Sequence, residues 1–331
     1  MNILEPIYYD EFKCLADKCN ESCCYGWRVD IDKNTFKKYK KIKGELGRKI
    51  NKSISRQRKE DNELKYGKIK LNDKGMCPLV EESGLCGIHA NLGESYLCNT
   101  CKIYPRTISK VGKIGERKLS LSCPAVAEFL IEYKEKIGFI FKEEDITKIE
   151  QEYVVDRVFD TKLYDNVFAV RSFLIEVAQF REIDVWKRLS FIKLVNDKLS
   201  NEIKELEIED IDEKIENLEM VITSQDTINN LNYVKRNDKI KNLFIECIIS
   251  QRVDEGITSQ PFVDILNEYR SFKLKYNNNH VKVFNALFDI EIEFDNYFDS
   301  KQYILENKLV YNISGEYMNA LYSRDTDKEV A

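Results

Sequence analysis

The chain has 331 residues, of which 43% are apolar and 33% are charged, and its formal charge is −5. This composition excludes a disordered or fibrous chain and leaves room for a sizeable core in one or two domains. The charge is unevenly distributed, because residues 1–130 carry 25 basic and 17 acidic side chains, whereas residues 131–331 carry 27 and 40. We therefore expect a basic N-terminal module, residues 1–130, followed by an acidic domain, residues 131–331.

The first predicted element is an amphipathic helix from Asn34 to about Arg58, where apolar residues recur every three or four positions. Its other faces are rich in Lys and Arg, which would suit an acidic partner or nucleic acid. No aromatic residues are interleaved among these charges to stack on bases, so we favour a solvated helix face and expect no nucleic-acid partner.

Short β-type runs follow at Tyr66–Leu71, Ile108–Val111 and Arg117–Leu121, and the last two predict a small hairpin with Gly112 and Gly115 between its strands. The intervening stretch is rich in Gly, Pro and polar residues, which predicts irregular loops around a bound metal.

Beyond Pro124 the chain has only three glycines and one proline in about 200 residues. Apolar spacing such as Leu163, Val167, Val170 and Leu174 is helical. Further helices are predicted over residues 125–136, 184–206, 227–250, 262–275 and 281–311. The fold class expected is therefore mainly α, with an irregular cysteine-rich N-terminal module that includes a small β-hairpin, followed by an α-helical bundle.

The N-terminus has no basic region followed by an apolar stretch, and no window approaches the roughly 18 apolar residues that a membrane helix needs. We therefore expect a cytoplasmic protein without a membrane partner. A reducing cytosol favours metal-bound cysteines over disulfides.

Nine of the ten cysteines fall within the first 123 residues, and the remaining one, Cys247, reads as a small core residue. Cys98 and Cys101 have the Cys-x2-Cys spacing that lets two sulfurs grip one ion. Thiolates are soft ligands that favour zinc, copper(I) or iron–sulfur clusters. Spacing alone does not decide between one cluster with spare thiols and two metal sites. It also does not decide whether the metal has a structural or a catalytic role.

Read with their neighbours, these cysteines resemble a known family. The pattern runs through Tyr9-x2-Phe12-x-Cys14, Cys19-x3-Cys23-Cys24-x-Gly26-Trp27, Met76-Cys77-Pro78-Leu79, Gly84-Leu85-Cys86, Thr100-Cys101-x2-Tyr104-Pro105-Arg106 and Leu119-Ser120-Leu121-Ser122-Cys123-Pro124. It resembles the flagellin lysine-N-methylase family, whose cysteine-rich part is shared with zinc- or iron-chelating Cys-x-x-Cys-x-x-Cys-Cys proteins. Downstream, Glu306-Asn307-x-Leu309-Val310-x-Asn312 is similar to a weaker family segment.

The resemblance implies transfer of a methyl group from S-adenosylmethionine to lysine ε-amines of flagellin, by a protein with a 4Fe-4S cluster. The recurrent cysteines of the family map to Cys14, Cys19, Cys23, Cys24, Cys77, Cys86, Cys101 and Cys123. Cys98 falls outside that set and is read as an extra thiol.

Three further residues of the pattern are candidates for the reaction. Tyr104 and Arg106 would orient a carboxylate or deprotonate the lysine, or else form a structural turn with Pro105. Trp27 would stack on the cofactor or pack as a lid over the cluster. The usual Gly-x-Gly-x-Gly nucleotide loop is absent, so we do not expect a Rossmann domain. The alternative reading is a non-enzymatic zinc- or iron-binding module with a helical protein-interaction domain.

Overall fold

A computed structural model describes residues 1–19, 23–58, 62–111, 114–146, 155–157, 161–204, 210–230, 260–277 and 300–323, together with residues 251, 279, 282–283, 286 and 297. The predicted turn residue Gly112 and Cys247 lie outside the described residues. So do most of the predicted helix 227–250 beyond residue 230 and most of the predicted helix 281–311 before residue 300.

The chain forms two compact units. The first unit contains Met1–Phe129 and Phe139–Arg157, and the second contains Leu130–Gly138 and the helical segments that follow residue 160. The chain thus leaves the first unit at Leu130 and returns to it at Phe139. This return was not predicted, since the charge and glycine patterns change only once along the sequence.

A five-stranded sheet lies in the first unit. Its strands are β1 (Asn2–Pro6), β5 (Arg106–Val111), β6 (Ile114–Leu119), β7 (Phe139–Glu143) and β8 (Val155–Arg157), in the order β7-β1-β6-β5-β8. Strands β5 and β6 are antiparallel, so the predicted hairpin is confirmed. Gly115, however, lies within β6 and pairs with Lys110, so its predicted position between the strands is wrong. Strand β1 pairs with β6 in parallel. The other three strands were missed because they are short and their polar residues interrupt the alternation of apolar side chains.

Charged side chains hold β1 to its neighbours. Glu5 is 1% exposed on β1 and accepts a hydrogen bond from Arg117 of β6 at 3.0 Å. Lys142 of β7 pairs with the same carboxylate and with Asp10, and these two acids raise the pKa of Lys142. A buried carboxylate is tolerated here because two cations compensate it.

A three-stranded antiparallel sheet forms the other half of this unit, from β2 (Asp30–Ile31), β3 (Ile54–Arg56) and β4 (Gly67–Ile69) in the order β2-β4-β3. Two helices, α1 (Lys33–Lys41) and α2 (Gly44–Ser53), connect β2 to β3. The single predicted helix over residues 34–58 is therefore wrong. Gly44 has φ +79°, a left-handed conformation that breaks the helix, and the segment from Ile54 onward pairs with β4 instead.

The cysteine-rich loops carry two short helices, α3 (Gly87–Leu92) and α4 (Asn99–Ile103), and α5 (Pro124–Glu132) follows the hairpin. Helix α5 begins at Pro124, in agreement with the preference of proline for the first helical position.

The second unit is helical. Its helices are α6 (Thr161–Ala178), α7 (Val185–Lys204), α8 (Ile211–Thr223), α9 (Gln225–Asn230), α10 (Gln260–Lys275) and α11 (Gln302–Ser323). Helix α6 packs against α7, α8 and α11, and its core includes Val167, Val170 and Leu174 as the spacing predicted. The predicted mainly α fold class is confirmed. Among the described residues, no helix combines the length and apolar character needed to cross a membrane.

Polar groups are also buried in this unit. Glu306 of α11 is fully buried and receives hydrogen bonds from Arg181 and, at 2.8 Å, from Arg188. Its neighbour Asn307 is equally buried and donates to the backbone oxygens of Leu130 and Tyr133 at 2.8 and 2.6 Å. The weaker family segment thus fixes α11 within the helical unit.

Candidate metal centre

Three cysteines are brought together by backbone pairing in the first unit. The amide of Cys77 donates to the carbonyl of Cys24 at 2.8 Å, so the two residues lie side by side on adjacent stretches of chain. The segment then reverses, since Val80 and Cys86 form a β-bridge and Gly84 occupies the turn with φ +81°. Glycine adopts this left-handed conformation without the steric cost of a Cβ atom. The Cys-Pro-Leu and Gly-Leu-Cys motifs are therefore the two sides of one tight loop.

Helix α4 adds two more cysteines, because Cys98 directly precedes it and Cys101 lies in its first turn. The start of α4 is held in place by neighbouring elements. The Thr100 hydroxyl donates to the Asp30 carbonyl at 2.8 Å, and the Asn99 amide donates to the Asp32 carboxylate at 3.3 Å. Cys98 is 1% exposed, the least accessible thiol in the described part of the chain.

These five residues form what we call the inner thiol group: Cys24, Cys77, Cys86, Cys98 and Cys101. Cys77 and Cys98 belong to the hydrophobic core that contains the three-stranded sheet and α1, and the other three pack against it. These thiols interact with one another electrostatically, so their protonation states are mutually dependent.

Hydrogen bonds join the inner thiols in pairs. The Cys101 thiol donates a hydrogen bond to the Cys98 sulfur. This bond and burial raise the pKa of Cys101. The same bond lowers the pKa of Cys98. Cys24 accepts from Cys23, which lowers its pKa, but its own bond to Cys77 and its burial raise the pKa to about 12. The same bond from Cys24 lowers the pKa of Cys77. Burial raises the pKa of Cys86, which also interacts electrostatically with Cys23 and Cys98.

Four cysteines of the module remain. Cys23 adjoins Cys24 in the chain, and the other three form what we call the outer thiol group: Cys14, Cys19 and Cys123. Burial raises the pKa of Cys123, and the nearby Cys19 and Cys14 raise it further. Cys14 is exposed, and its sulfur accepts a hydrogen bond from the Ala16 amide at 3.4 Å. Of the eight cysteines that the resemblance implied as ligands, the structure therefore places four in the inner group, three in the outer group, and Cys23 beside Cys24.

The donor set suits a soft ion, because it offers several thiols, of which Cys77, Cys98 and Cys123 are buried. The thiols contact one another in pairs, however, and in the part of the chain that the structure describes no group of three or more His, Cys, Asp or Glu side chains is arranged to hold a metal ion. Binding would require the sulfur atoms to rotate toward a common centre. Metal ligation by these cysteines stays a prediction.

Trp27 and Tyr104, two of the candidate reaction residues, lie together. Their ring centroids are 5.4 Å apart, the Trp27 indole donates to the Cys23 carbonyl at 2.6 Å, and the Tyr104 hydroxyl bonds to Ser122 at 3.2 Å. Burial raises the pKa of Tyr104 to about 12, and the nearby Cys123, Cys23 and Cys19 contribute. Tyr104 therefore remains protonated at neutral pH, which makes it a poor base there.

Arg106, the third candidate, lies at the start of β5. Its guanidinium stands over the rings of Tyr9 and Phe12, at 5.7 and 5.6 Å from their centroids. This contact links the Tyr-x2-Phe and Tyr-Pro-Arg parts of the family pattern and stabilises the unit through cation–π attraction.

The fold and the site together define a class: a cysteine-rich, mainly α protein with an inner and an outer group of soft metal donors. Comparison with known proteins narrows this class. Residues 171–328 match the family model described as the FliB lysine N-methylase C-terminal domain. The chain is also 29% identical over 162 residues to the lysine-N-methylases of Salmonella typhimurium and Salmonella choleraesuis, which is 49% of this chain and 38% of each relative.

A further relative, the flagellar biosynthetic protein FliU of Salmonella muenchen, is 33% identical over 132 residues, which is 40% of this chain and 78% of that protein. The chain belongs to the lysine N-methylase family. The predicted resemblance is thus confirmed at the level of the family. The chain spans less than half the length of the two lysine-N-methylases, and no solved structure matches it.

Two features of the structure were not predicted. Cys98 was set aside as an extra thiol, although its Cys-x2-Cys spacing with Cys101 was the available signal. The buried Glu306 with its two arginines was also missed. Only the position of Glu306 in the weaker family segment pointed to it, since charged residues are almost never fully buried unless they are paired.

Proposed function

We propose that this protein is a lysine N-methyltransferase that moves a methyl group from S-adenosylmethionine to the ε-amine of lysine residues on flagellin. Membership of the lysine N-methylase family carries the proposal. The names of the relatives, a lysine-N-methylase and a flagellar biosynthetic protein, support the reaction and the substrate.

The reaction places two demands on the protein. The attacking amine has a pKa of about 10.4 in water and must lose its proton before it can attack. Desolvation of the amine lowers its pKa, and fixed positioning of the amine behind the methyl group supplies much of the rate. Both effects require a shielded site, which the half-buried aromatic pair Trp27 and Tyr104 would help to form.

We assign roles to the candidate residues on this basis. Trp27 offers an aromatic face to the sulfonium cation of the methyl donor, an attraction that aromatic rings provide. Tyr104 supports Trp27 through its ring and binds Ser122, and its raised pKa argues against its acting as the base. Arg106 contacts the rings of Tyr9 and Phe12. In this proposal its guanidinium would also orient a carboxylate group at the site.

A 4Fe-4S cluster is part of this proposal, with zinc as the alternative ion. Its ligands would come from the eight cysteines of the family pattern: Cys14, Cys19, Cys23, Cys24, Cys77, Cys86, Cys101 and Cys123. A cluster iron without a cysteine ligand supplies a coordination position that suits amino and carboxylate groups. The chain itself contributes the thiols, the burial and the basic residues of the module, which offset the negative charge of thiolates.

The direct test incubates the anaerobically purified protein with flagellin and S-adenosylmethionine that carries a deuterated methyl group. Mass spectrometry of flagellin peptides should show deuterated methyl groups on lysine. Flagellin with acetylated lysines is the matched control and should remain unlabelled. Unlabelled lysines in a sample that retains its metal would contradict the proposal.

The role of Tyr104 is tested in the same assay. We expect Tyr104→Phe to retain activity within about tenfold of the wild type, because the ring against Trp27 is kept, whereas general base catalysis typically contributes 10²–10⁴-fold. Tyr104→Ala removes the ring as well and should raise the KM for S-adenosylmethionine. A loss of more than about 100-fold for Tyr104→Phe would show that the hydroxyl takes part in proton transfer.

A second candidate function is a non-enzymatic zinc- or iron-binding module. The observation in its favour is that Cys77 and Cys98 lie in the core of the first unit and the other inner thiols pack against it, as in structural sites closed to substrate. This function predicts stoichiometric bound metal together with unlabelled flagellin.

A further inference from the structure

The segment from the end of α1 through α2 carries a dense group of positive charges. Residues 41–52 contain five basic side chains and one acidic side chain, and all six residues are exposed. The five basic residues form what we call the basic face: Lys41, Lys43, Arg48, Lys49 and Lys52. The proposed methyl transfer gives none of them a role.

Helix α2 places three of these residues on one side. Arg48 and Lys49 are four and three positions before Lys52, and residues with this spacing are neighbours on a helix surface. The other side of α2 buries Gly47 and Ile50. Packing of the helix therefore directs the positive charges toward solvent.

The basic face is not neutralised within the part of the chain that the structure describes. No acidic side chain there forms an ion pair with any of its five members. Two basic residues of α1 differ in this respect. Lys33 pairs with Glu63, and Lys38 donates to the Ser95 carbonyl at 3.1 Å. The basic face thus retains its positive charge for a partner outside the unit.

Helix stability explains only part of this charge pattern. Cations are favoured in the last turn of a helix by its macrodipole, which accounts for Lys41 and Lys52. Arg48 and Lys49 lie in the middle of α2, where the macrodipole favours neither sign of charge. A face that only keeps a protein soluble usually mixes both signs. A surplus of one sign is typical of a surface that attracts an oppositely charged partner.

The surroundings of the basic face distinguish between classes of anionic partner. Single-stranded nucleic acid is usually bound with exposed aromatic rings, but Phe36 and Tyr39 of α1 are buried. A membrane surface is usually bound with exposed apolar residues, and none of the large ones lies within residues 41–52. A long polyanion such as duplex nucleic acid would also meet the rest of a chain whose formal charge is −5.

We propose that the basic face is a docking surface for an acidic segment of a partner protein. A short acidic segment responds mainly to the local positive charge, because salt screens charges more than about 8 Å away. Carboxylates of the segment would pair with Arg48, Lys49 and Lys52, and Lys41 and Lys43 extend the surface at the start of α2. The inference does not rest on the proposed methyl transfer, because docking requires no reaction.

The test measures binding of a fluorescein-labelled oligoglutamate peptide to the full chain by fluorescence anisotropy at low salt. We expect the triple variant Arg48→Glu, Lys49→Glu, Lys52→Glu to raise the Kd by about tenfold or more, because three attractive contacts become repulsive. The matched control is Lys198→Glu, Lys275→Glu, Lys308→Glu. It changes three exposed residues of the helical unit and gives the same net charge, and its Kd should stay within about twofold of the wild type.

A neutral variant guards against an effect on folding. Arg48→Gln, Lys49→Gln, Lys52→Gln keeps a similar helix propensity and should raise the Kd less than charge reversal does. Far-UV circular dichroism verifies that each variant is folded. Equal Kd values for the reversed variant and the matched control, or an unchanged Kd in the neutral variant, would overturn the proposal. Tighter binding of duplex DNA or of anionic lipid vesicles than of the peptide would also overturn it.

Discussion

At the scale of single residues, each unit contains a buried glutamate that is paired with two basic side chains. Glu5 is compensated by Arg117 and Lys142 in one unit, and Glu306 by Arg181 and Arg188 in the other. Such groups add little net stability when paired, but removing one partner leaves a buried uncompensated charge. Sequence periodicity marks charged residues as exposed, so neither network was predictable from the pattern of apolar side chains.

We predict that Glu306→Gln lowers the free energy of unfolding of the helical unit by about 3–5 kcal/mol, because Arg181 and Arg188 lose their counter-ion. Asp197→Asn is the matched control. Its exposed pair with Lys193 has a spacing of four residues on α7 and should change stability by about 0.5 kcal/mol or less.

The two tryptophans make this measurement specific, since Trp27 belongs to the first unit and Trp186 to the second. Urea unfolding followed by fluorescence in a Trp27→Phe background reports on the helical unit. Equal midpoints for Glu306→Gln and Asp197→Asn would contradict the account of the buried network.

At the scale of elements, the helices of the second unit were predicted well where a long apolar period dominates. The observed α7 and α10 differ from the predicted 184–206 and 262–275 by no more than two residues at either end. The three-stranded sheet was predicted less well. Its strands are short, and the segment around Ile54 has helical spacing but pairs with β4 because that pairing buries Ile54 and Ile69. Tertiary context overrides local propensity in such short segments.

Close packing between α1 and β4 gives a second prediction. A Cβ atom on Gly67 would lie 2.3 Å from the ring of Phe36, so Gly67→Ala should lower the free energy of unfolding by about 1–3 kcal/mol. Lys68→Ala changes the next, exposed residue of the same strand and should have an effect within about 0.5 kcal/mol. Trp27 fluorescence during urea unfolding in a Trp186→Phe background measures both. A Gly67→Ala midpoint equal to that of Lys68→Ala would refute the predicted clash.

The N-terminus of α1 gives a third prediction. Asp32 accepts a hydrogen bond from the Thr35 amide at 2.8 Å and also binds the start of α4 through Asn99. Asp32 is therefore the N-cap of α1, whereas Asp30 pairs with Arg28.

Asp32→Ala should therefore cost about 1 kcal/mol of stability and increase the alkylation rate of Cys98 in the metal-free protein. Asp32→Asn keeps a capping oxygen and serves as the control. An unchanged Cys98 rate in Asp32→Ala would mean that the cap does not help to position α4.

At the scale of the whole molecule, the sequence predicted the fold class and the family, because both rest on long periodic segments and on an ordered motif. It did not predict how the cysteines would be distributed. Spacing along the chain does not reveal which loops a β-bridge or a helix start brings together, and the division into inner and outer thiols depends on those contacts. The central proposal for this molecule remains that its N-terminal cysteines hold a soft metal.

Metal analysis combined with an absorption spectrum of the anaerobically purified protein tests that claim most directly. We predict tightly bound iron, about four per chain with broad brown absorbance near 400 nm for a 4Fe-4S cluster, or stoichiometric zinc in a colourless solution for the alternative ion. In both cases a chelator should increase the number of thiols that react. A protein free of metal after anaerobic purification, whose thiols react equally with and without added iron or zinc, would contradict the account.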